Sequence, residues 1–242
     1  SGPRWLFARI QQTAPKVVPT DGSSNMSEQN VDEDIVSNSA PAPGEQANGV
    51  ITIVLTADNH LGYAALGQSP RKREERRQRL RSALQQATDF AIGQGVDLFI
   101  QGGDLFDTTS PDEQDRSFVA ARLAQLRQAG VQTFALGGVH DTPTTSGETT
   151  PAPQISYARL GALHYFPPQG SASAVPLEPV IIDVRGTLVA LAGVGVLAGQ
   201  EGDPLAQLKV DSDIERAALS LLLLHAPIEG LVTGTAPADT RA

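Results

Sequence analysis

The stretch that decides the fold is Val50-Ile51-Thr52-Ile53-Val54-Leu55-Thr56-Ala57-Asp58-Asn59-His60. Its first seven residues are all apolar or β-branched, with no polar alternation, which reads as a strand buried on both faces. Two ionisable side chains, Asp58 and His60, follow at once. The same plan recurs downstream. Asp97-Leu98-Phe99-Ile100 runs into Gly102-Gly103-Asp104-Leu105-Phe106-Asp107, and residues 131–136 run into Gly137-Gly138-Val139-His140-Asp141. Between these runs, Leu80, Leu84, Ala87 and Ala91 recur at helical spacing within residues 71–94, and Gly95 stops the pattern. A second helix is predicted over about 112–129, with Phe118, Ala121, Leu123 and Leu126 facing the core and Gly130 as its stop. Strand, helix, strand, helix, strand with short connections predicts two right-handed crossovers and a parallel sheet.

Working outward, residues 142–153 are rich in Thr, Pro, Ser and Gly and predict a surface loop. Two β-branched runs, 179–184 and 187–192, flank Arg185-Gly186 and predict a hairpin. A second, partly antiparallel sheet therefore follows the parallel one. Residues 211–218 suggest a short helix, and 219–224 form another apolar strand that ends at His225. His164 opens a short apolar strand and is assigned a structural role. Residues 1–49 read differently: residues 20–49 are polar, with the acidic cluster Asp32-Glu33-Asp34. Such a segment buries too little apolar surface to offset its chain entropy, so 1–49 is expected to be a disordered acidic tail. Residues 1–25, which precede the single methionine Met26, are set aside as a candidate non-native segment. The folded domain is expected over 50–242.

Composition narrows the function. A chain of 242 residues has room for one sizeable α/β core. No apolar run approaches the roughly 18 residues of a membrane span, which excludes an integral helical membrane protein. With no cysteine there is no disulfide scaffold, thiolate-ligated zinc, iron–sulfur cluster or cysteine nucleophile, a composition compatible with a cytoplasmic location. The formal net charge of −9 argues against a protein that coats nucleic acid non-specifically. Residues 71–81 are a local exception, with seven basic residues and two acidic. Two readings stand for this run: a solvated helix face laced with Glu–Arg pairs, or a DNA-backbone contact through Arg71, Lys72, Arg73, Arg76 and Arg77.

Ligands of open α/β sheets bind beyond the carboxyl ends of the parallel strands. Asp58, His60, Asp104, His140, Asp141 and His225 all follow such ends. Carboxylates and imidazoles without thiolate suit a Mn, Fe or Zn ion. The Asp-x-His spacing places both side chains on one side of an extended segment, and a neighbouring carboxylate such as Asp104 can bridge two ions. Taken alone, Asp104 or Asp107 is a helix cap or turn former. Taken together, the set reads as a metal site.

These residues resemble the calcineurin-like metallophosphoesterase superfamily, whose signature runs D-x-H, G-D-x-x-D, G-N-H-D/E, H and G-H-x-H. Asp58-Asn59-His60-Leu61-Gly62-Tyr63 and Gly103-Asp104-Leu105-Phe106-Asp107 are most similar to the SbcD-type DNA double-strand-break repair exonucleases. Val139-His140-Asp141-Thr142-Pro143 and Leu224-His225 fit the same branch, and the resemblance covers about residues 50–230. It implies an αββα sandwich of mixed sheets with flanking helices. It also implies Asp58 and His60 on a first metal, Asp104 bridging two metals and His225 on the second. His140 would protonate the leaving oxygen, with Asp141 orienting its ring. Divalent ions, manganese foremost, DNA ends as substrate and an SMC-like ATPase partner follow from the same resemblance. Two departures qualify it. Val139 stands where the family has Asn, and no G-H-x-H follows His225. The expected domain is therefore C-terminally incomplete, lacks its last motif and holds one ion tightly rather than two. The activity implied is phosphodiester hydrolysis at DNA ends by a metal-activated water. A phosphoesterase acting on another ester, and a degenerate non-catalytic scaffold, are the competing readings.

Overall fold

In the computed structural model, which describes residues 5–11, 50–64, 67–143, 151–167, 175–195 and 208–226, the first strand comes from the segment set aside above. β1 (Trp5–Gln11) pairs antiparallel with β2 (Val50–Thr56), with Leu6 opposite Leu55 and Ile10 opposite Ile51. The expectation of a disordered tail over 1–49 is thus corrected at Trp5–Gln11. Phe7 meets Phe90 edge-on at 5.4 Å between ring centroids, and Ile10 packs against the apolar layer between the sheets. A full ladder of backbone hydrogen bonds with apolar burial on both faces outweighs the entropy of ordering the strand. Residues 12–49, the acidic cluster included, lie outside the described residues.

β2 continues into a parallel array with β3 (Leu98–Gln101), β4 (Gln132–Leu136) and β5 (His164–Phe166), in the spatial order β1-β2-β3-β4-β5. Helices α1 (Pro70–Gln94) and α2 (Glu113–Gln128) make the predicted crossovers. Each is delimited by its sequence. Ser69 Oγ accepts from the Lys72 amide ahead of Pro70, and Gly95 ends α1 in the left-handed region at φ 58°. Asp112 caps α2 by accepting from the Asp115 amide at 2.8 Å. Leu84, Ala87 and Ala91 of α1 and Val119, Leu123 and Leu126 of α2 pack on Val54, Phe99 and Ala135. Ala121 is exposed, contrary to expectation, because the buried stripe of α2 runs through Val119, Arg122 and Leu126. Of the predicted surface loop 142–153, residues 144–150 lie outside the described residues, while Thr142 and Ala152 are buried rather than on the surface; a short helix, α3 (Gln154–Arg159), follows it.

β6 (Val175–Leu177) pairs parallel with β9 (Leu208–Val210). The predicted hairpin is β7 (Val180–Val184) and β8 (Thr187–Val194), and its Arg185-Gly186 turn has φ of 53° and 82°, as a two-residue hairpin turn requires. β10 (Leu219–Leu224) lies parallel to β8, preceded by a single 3₁₀ turn at Ser212–Arg216. The two main sheets face each other. Ile51, Ile53, Leu98, Ile100, Phe134 and Leu136 of one pack on Val184, Val189 and Leu191 of the other. The architecture is α/β, with mixed sheets and flanking helices, as expected. Among the described residues no helix is long and apolar enough to cross a membrane.

Candidate metal centre

The loops beyond β2 and β3 are zipped together by backbone hydrogen bonds. The amides of Asp58, His60 and Leu61 donate to the carbonyls of Gly103, Asp104 and Leu105 at 3.0–3.1 Å, and Asp107 donates back to Leu61. The segment is not extended, as the Asp-x-His argument assumed. Asp58, His60 and Asp104 have φ of 51°, 45° and 51°. Such left-handed backbone costs about 1–3 kcal/mol per non-glycine residue and persists where the surroundings fix it. Here the interloop ladder fixes it, and it turns the three side chains toward one point.

Asp104 is that point. The residue is buried, 3% exposed. Oδ2 stands 3.8 Å from His60 Nε2 and 3.4 Å from His225 Nε2, while Oδ1 accepts from the His140 amide at 2.9 Å. Asp58 Oδ1 lies 3.9 Å from the same His60 nitrogen. Ligand atoms of Asp58, His60 and Asp104 all fall within 4.8 Å of one another. The approach is close enough to require glycine. A Cβ on Gly103 would stand 2.3 Å from His225 Nδ1, and one on Gly138 2.0 Å from Asp104 Oδ1. Burial alone would raise the Asp104 carboxyl, but the His225 ring and the His140 amide outweigh it and hold the group below its ordinary value. The same contact with Asp104, against the opposing effect of burial, pushes His225 up to about 9. His225 Nδ1 donates to the Gly102 carbonyl at 2.8 Å, which leaves Nε2 facing Asp104. A buried carboxylate between two imidazole nitrogens, with a second carboxylate beside it, is a donor set that fits a hard-to-borderline divalent ion.

Asp107 is the residue that sequence reasoning left as a turn former. Its Oδ1 lies 3.1 Å from His60 Nδ1 and 3.5 Å from His140 Nδ1, and the two rings meet edge-to-face at 4.7 Å. An ionised carboxylate only accepts, so His60 carries its proton on Nδ1 and turns the Nε2 lone pair toward Asp58 and Asp104. The G-D-x-x-D spacing was the available signal. Asp141, assigned to the His140 ring, does not touch it. Asp141 is fully buried, with Oδ1 accepting from the Gly138 amide at 2.8 Å and Oδ2 from the Phe106 amide at 3.1 Å and from Gln154. Adjacent side chains of this turn diverge, and every donor that Asp141 meets is backbone or Gln154. It clamps the β4 loop to the β3 loop. Burial raises its carboxyl above the ordinary value despite those amides.

Val139 is 54% exposed, between Gly138 and His140, which both touch Asp104. The basic helix divides. Arg71 pairs with Glu75 along the helix at 2.9 Å, Arg77 with Asp112 at 3.0 Å and Arg81 with Asp115 at 2.6 Å. Arg76 lies over the Tyr63 ring, 4.9 Å from its centroid. Lys72 and Arg73 are exposed. Arg77 is therefore half-buried in an interhelical ion pair and not a free phosphate contact. His164 lies against the Phe134 and Phe166 rings, away from the cluster.

The calcineurin-like phosphoesterase family model matches residues 51–230, which takes in all four strand ends that carry these side chains. The chain belongs to that family. It is similar to proteins named DNA double-strand break repair protein Mre11. The one from Thermoplasma acidophilum is 33% identical over 92 residues, 38% of this chain and 23% of the relative. That from Saccharolobus solfataricus is 30% identical over 102 residues, 42% and 26% of the two chains. That from Methanosarcina mazei is 33% identical over 92 residues, 38% and 14%. The matches thus span about a quarter or less of these curated relatives. The family's name sets the class within which this donor set is read, which is phosphoester chemistry.

Proposed function

We propose that this phosphoesterase hydrolyses phosphodiester bonds at DNA ends, with manganese as its metal. The observation that carries the reading is the placement of the Asp104 carboxylate between His60 Nε2 and His225 Nε2. Asp58, His60 and Asp104 would hold one divalent ion, and Asp104 with His225 would face a second. When bound, such an ion polarises a phosphoryl oxygen and acidifies a water. The chain's own residues do the rest. Asp107 keeps the proton on His60 Nδ1 and so keeps Nε2 available as a ligand. His140, with its side chain 46% exposed on the rim, can hand a proton to a departing oxygen while Asp107 stands by its Nδ1. Asp141 holds the loop that carries His140. The name of the Mre11 relatives supports DNA as the substrate, and the exposed Lys72 and Arg73 are suited to its phosphates. An SMC-like ATPase partner is proposed on the same likeness. The test is cleavage of an end-labelled DNA duplex against a chromogenic phosphodiester, each with manganese and with chelator. Manganese-dependent shortening of the duplex supports the proposal. Cleavage of the small diester alone favours another ester substrate, and binding of metal without either cleavage favours the scaffold reading that Val139 suggests.

A further inference from the structure

Arg81 closes the basic run, and the proposed chemistry does not use it. Arg81, with its side chain 12% exposed, donates from Nε to Asp115 Oδ1 at 2.6 Å and from a terminal nitrogen to Gln114 at 3.2 Å. Asp115 is fully buried in the first turn of α2. Its second oxygen, Oδ2, is buried and has no hydrogen-bond partner among the described residues. That oxygen faces Gly62. A Cβ built there would stand 3.2 Å from it, and Gly62 has φ of +91°, which a side chain rarely adopts. Gly62 lies two residues after His60, in a turn closed by the Tyr63 amide donating to the His60 carbonyl at 3.0 Å.

We infer that Arg81 and Asp115 are positioning residues for His60, so that the two crossover helices help to set the affinity of the metal centre. The inference rests on the metal reading above and extends it to α1 and α2. His60 keeps a left-handed backbone that its surroundings must impose. On one side the turn is hydrogen-bonded to the β3 loop, and on the other Gly62 faces the buried Asp115 carboxylate, with little room for a side chain between them. Arg81 holds Asp115 Oδ1 from Nε and Gln114 from a terminal nitrogen, two donors in a fixed plane that orient the carboxylate as an apolar contact or a lysine would not. A buried ion pair is a poor source of net stability, so bracing the two helices does not account for it. That bracing is available elsewhere. Arg122, also buried, pairs with Asp89 and donates to Thr88 at 2.9 Å, about 10 Å further along α2.

The test uses the full chain, with manganese titrated by calorimetry, the thermal midpoint, and the ¹⁵N shifts of the His60 ring in metal-free protein. Asp115→Asn and Gly62→Ala should each weaken manganese binding about tenfold or more and shift the His60 ring signals. Arg122→Met should lower the thermal midpoint and leave both readouts unchanged. Should Asp115→Asn not fold, Gly62→Ala, which leaves the ion pair in place, decides the matter. Unchanged affinity and unchanged His60 signals in the folded variants would overturn the inference, as would an equal loss in Arg122→Met. A wild-type chain that binds no manganese would defeat the metal reading instead, and the His60 shifts would then decide the role of Asp115 by themselves.

Discussion

His225 and Asp104 face each other at 3.4 Å across the ends of two different sheets, and each shifts the other's proton affinity. With the folded His225 raised from 6.5 to about 9, its stabilising contribution is fully present below about pH 6.5. It is lost as pH rises through about 9. The metal-free chain should therefore show a thermal midpoint that falls between pH 6.5 and about 9.5, and His225→Gln should flatten that fall. Because a ligand must give up its proton, metal binding should release protons and tighten with pH over the same window. Calorimetry in two buffers of different ionisation enthalpy measures the release. A midpoint that is flat with pH in metal-free wild type would contradict the assignment.

Asp107 makes the second prediction. Asp107→Asn keeps the shape but presents a neutral amide to His60 Nδ1 and His140 Nδ1. The His60 tautomer is then no longer enforced, and metal affinity should fall about tenfold to a hundredfold. Turnover should fall most on substrates with poor leaving groups, where proton donation by His140 matters most. Asp141→Asn, which disturbs buried amide contacts and not the His140 ring, should lower the thermal midpoint instead. Equal effects of the two substitutions on leaving-group dependence would remove the special role of Asp107.

The basic helix gives a prediction about salt. Lys72→Glu with Arg73→Glu should weaken DNA binding and reduce the slope of log affinity against log salt by about two. Arg77→Gln breaks the ion pair with Asp112 at the start of α2, so it should act on stability and leave that slope unchanged. Filter binding at several salt concentrations reads the slope. An unchanged slope in the double variant would return these charges to a solvated face.

What could be read from sequence follows a physical line. β2, β3, β4 and their two crossover helices were legible because local periodicity and the stops at Gly95 and Gly130 mark them within a few residues. β1 was not. Its partner lies across residues 12–49, and an antiparallel edge pairing leaves no local mark. The side chains of the candidate centre were legible as strand-end residues, but their convergence through left-handed backbone at Asp58 and His60 was not. The resemblance implied Asp141 as the partner of the His140 ring, whereas Asp107 stands beside it, because contact is set by which way each loop turns its side chains. The burial of Asp115 and Arg122 escaped an apolar-periodicity argument because charged residues hide in a helix face only when they find partners.

The last prediction concerns Val139. It sits between Gly138, which abuts Asp104, and His140, whose amide donates to Asp104 Oδ1 at 2.9 Å. An isopropyl group there offers no donor atom to an ion held by Asp104 and His225, and the family signature has Asn at this place. Val139 is 54% exposed, so replacing it leaves no cavity and should change stability by about 0.5 kcal/mol or less. Val139→Asn adds an amide oxygen beside Asp104 at little structural cost. The variant should bind a second manganese ion that the parent chain binds weakly, with an affinity gain on the order of tenfold or more. Phosphodiester turnover should rise with the second ion, since attacking and leaving oxygens are then both stabilised. His140→Ala in the Val139→Asn background should lose most of that turnover while keeping the metal. Metal analysis beside kinetics separates the two effects. If Val139→Asn leaves stoichiometry and rate at the parent values, position 139 does not limit this centre, and the scarcity of ligands around Asp104 and His225 does.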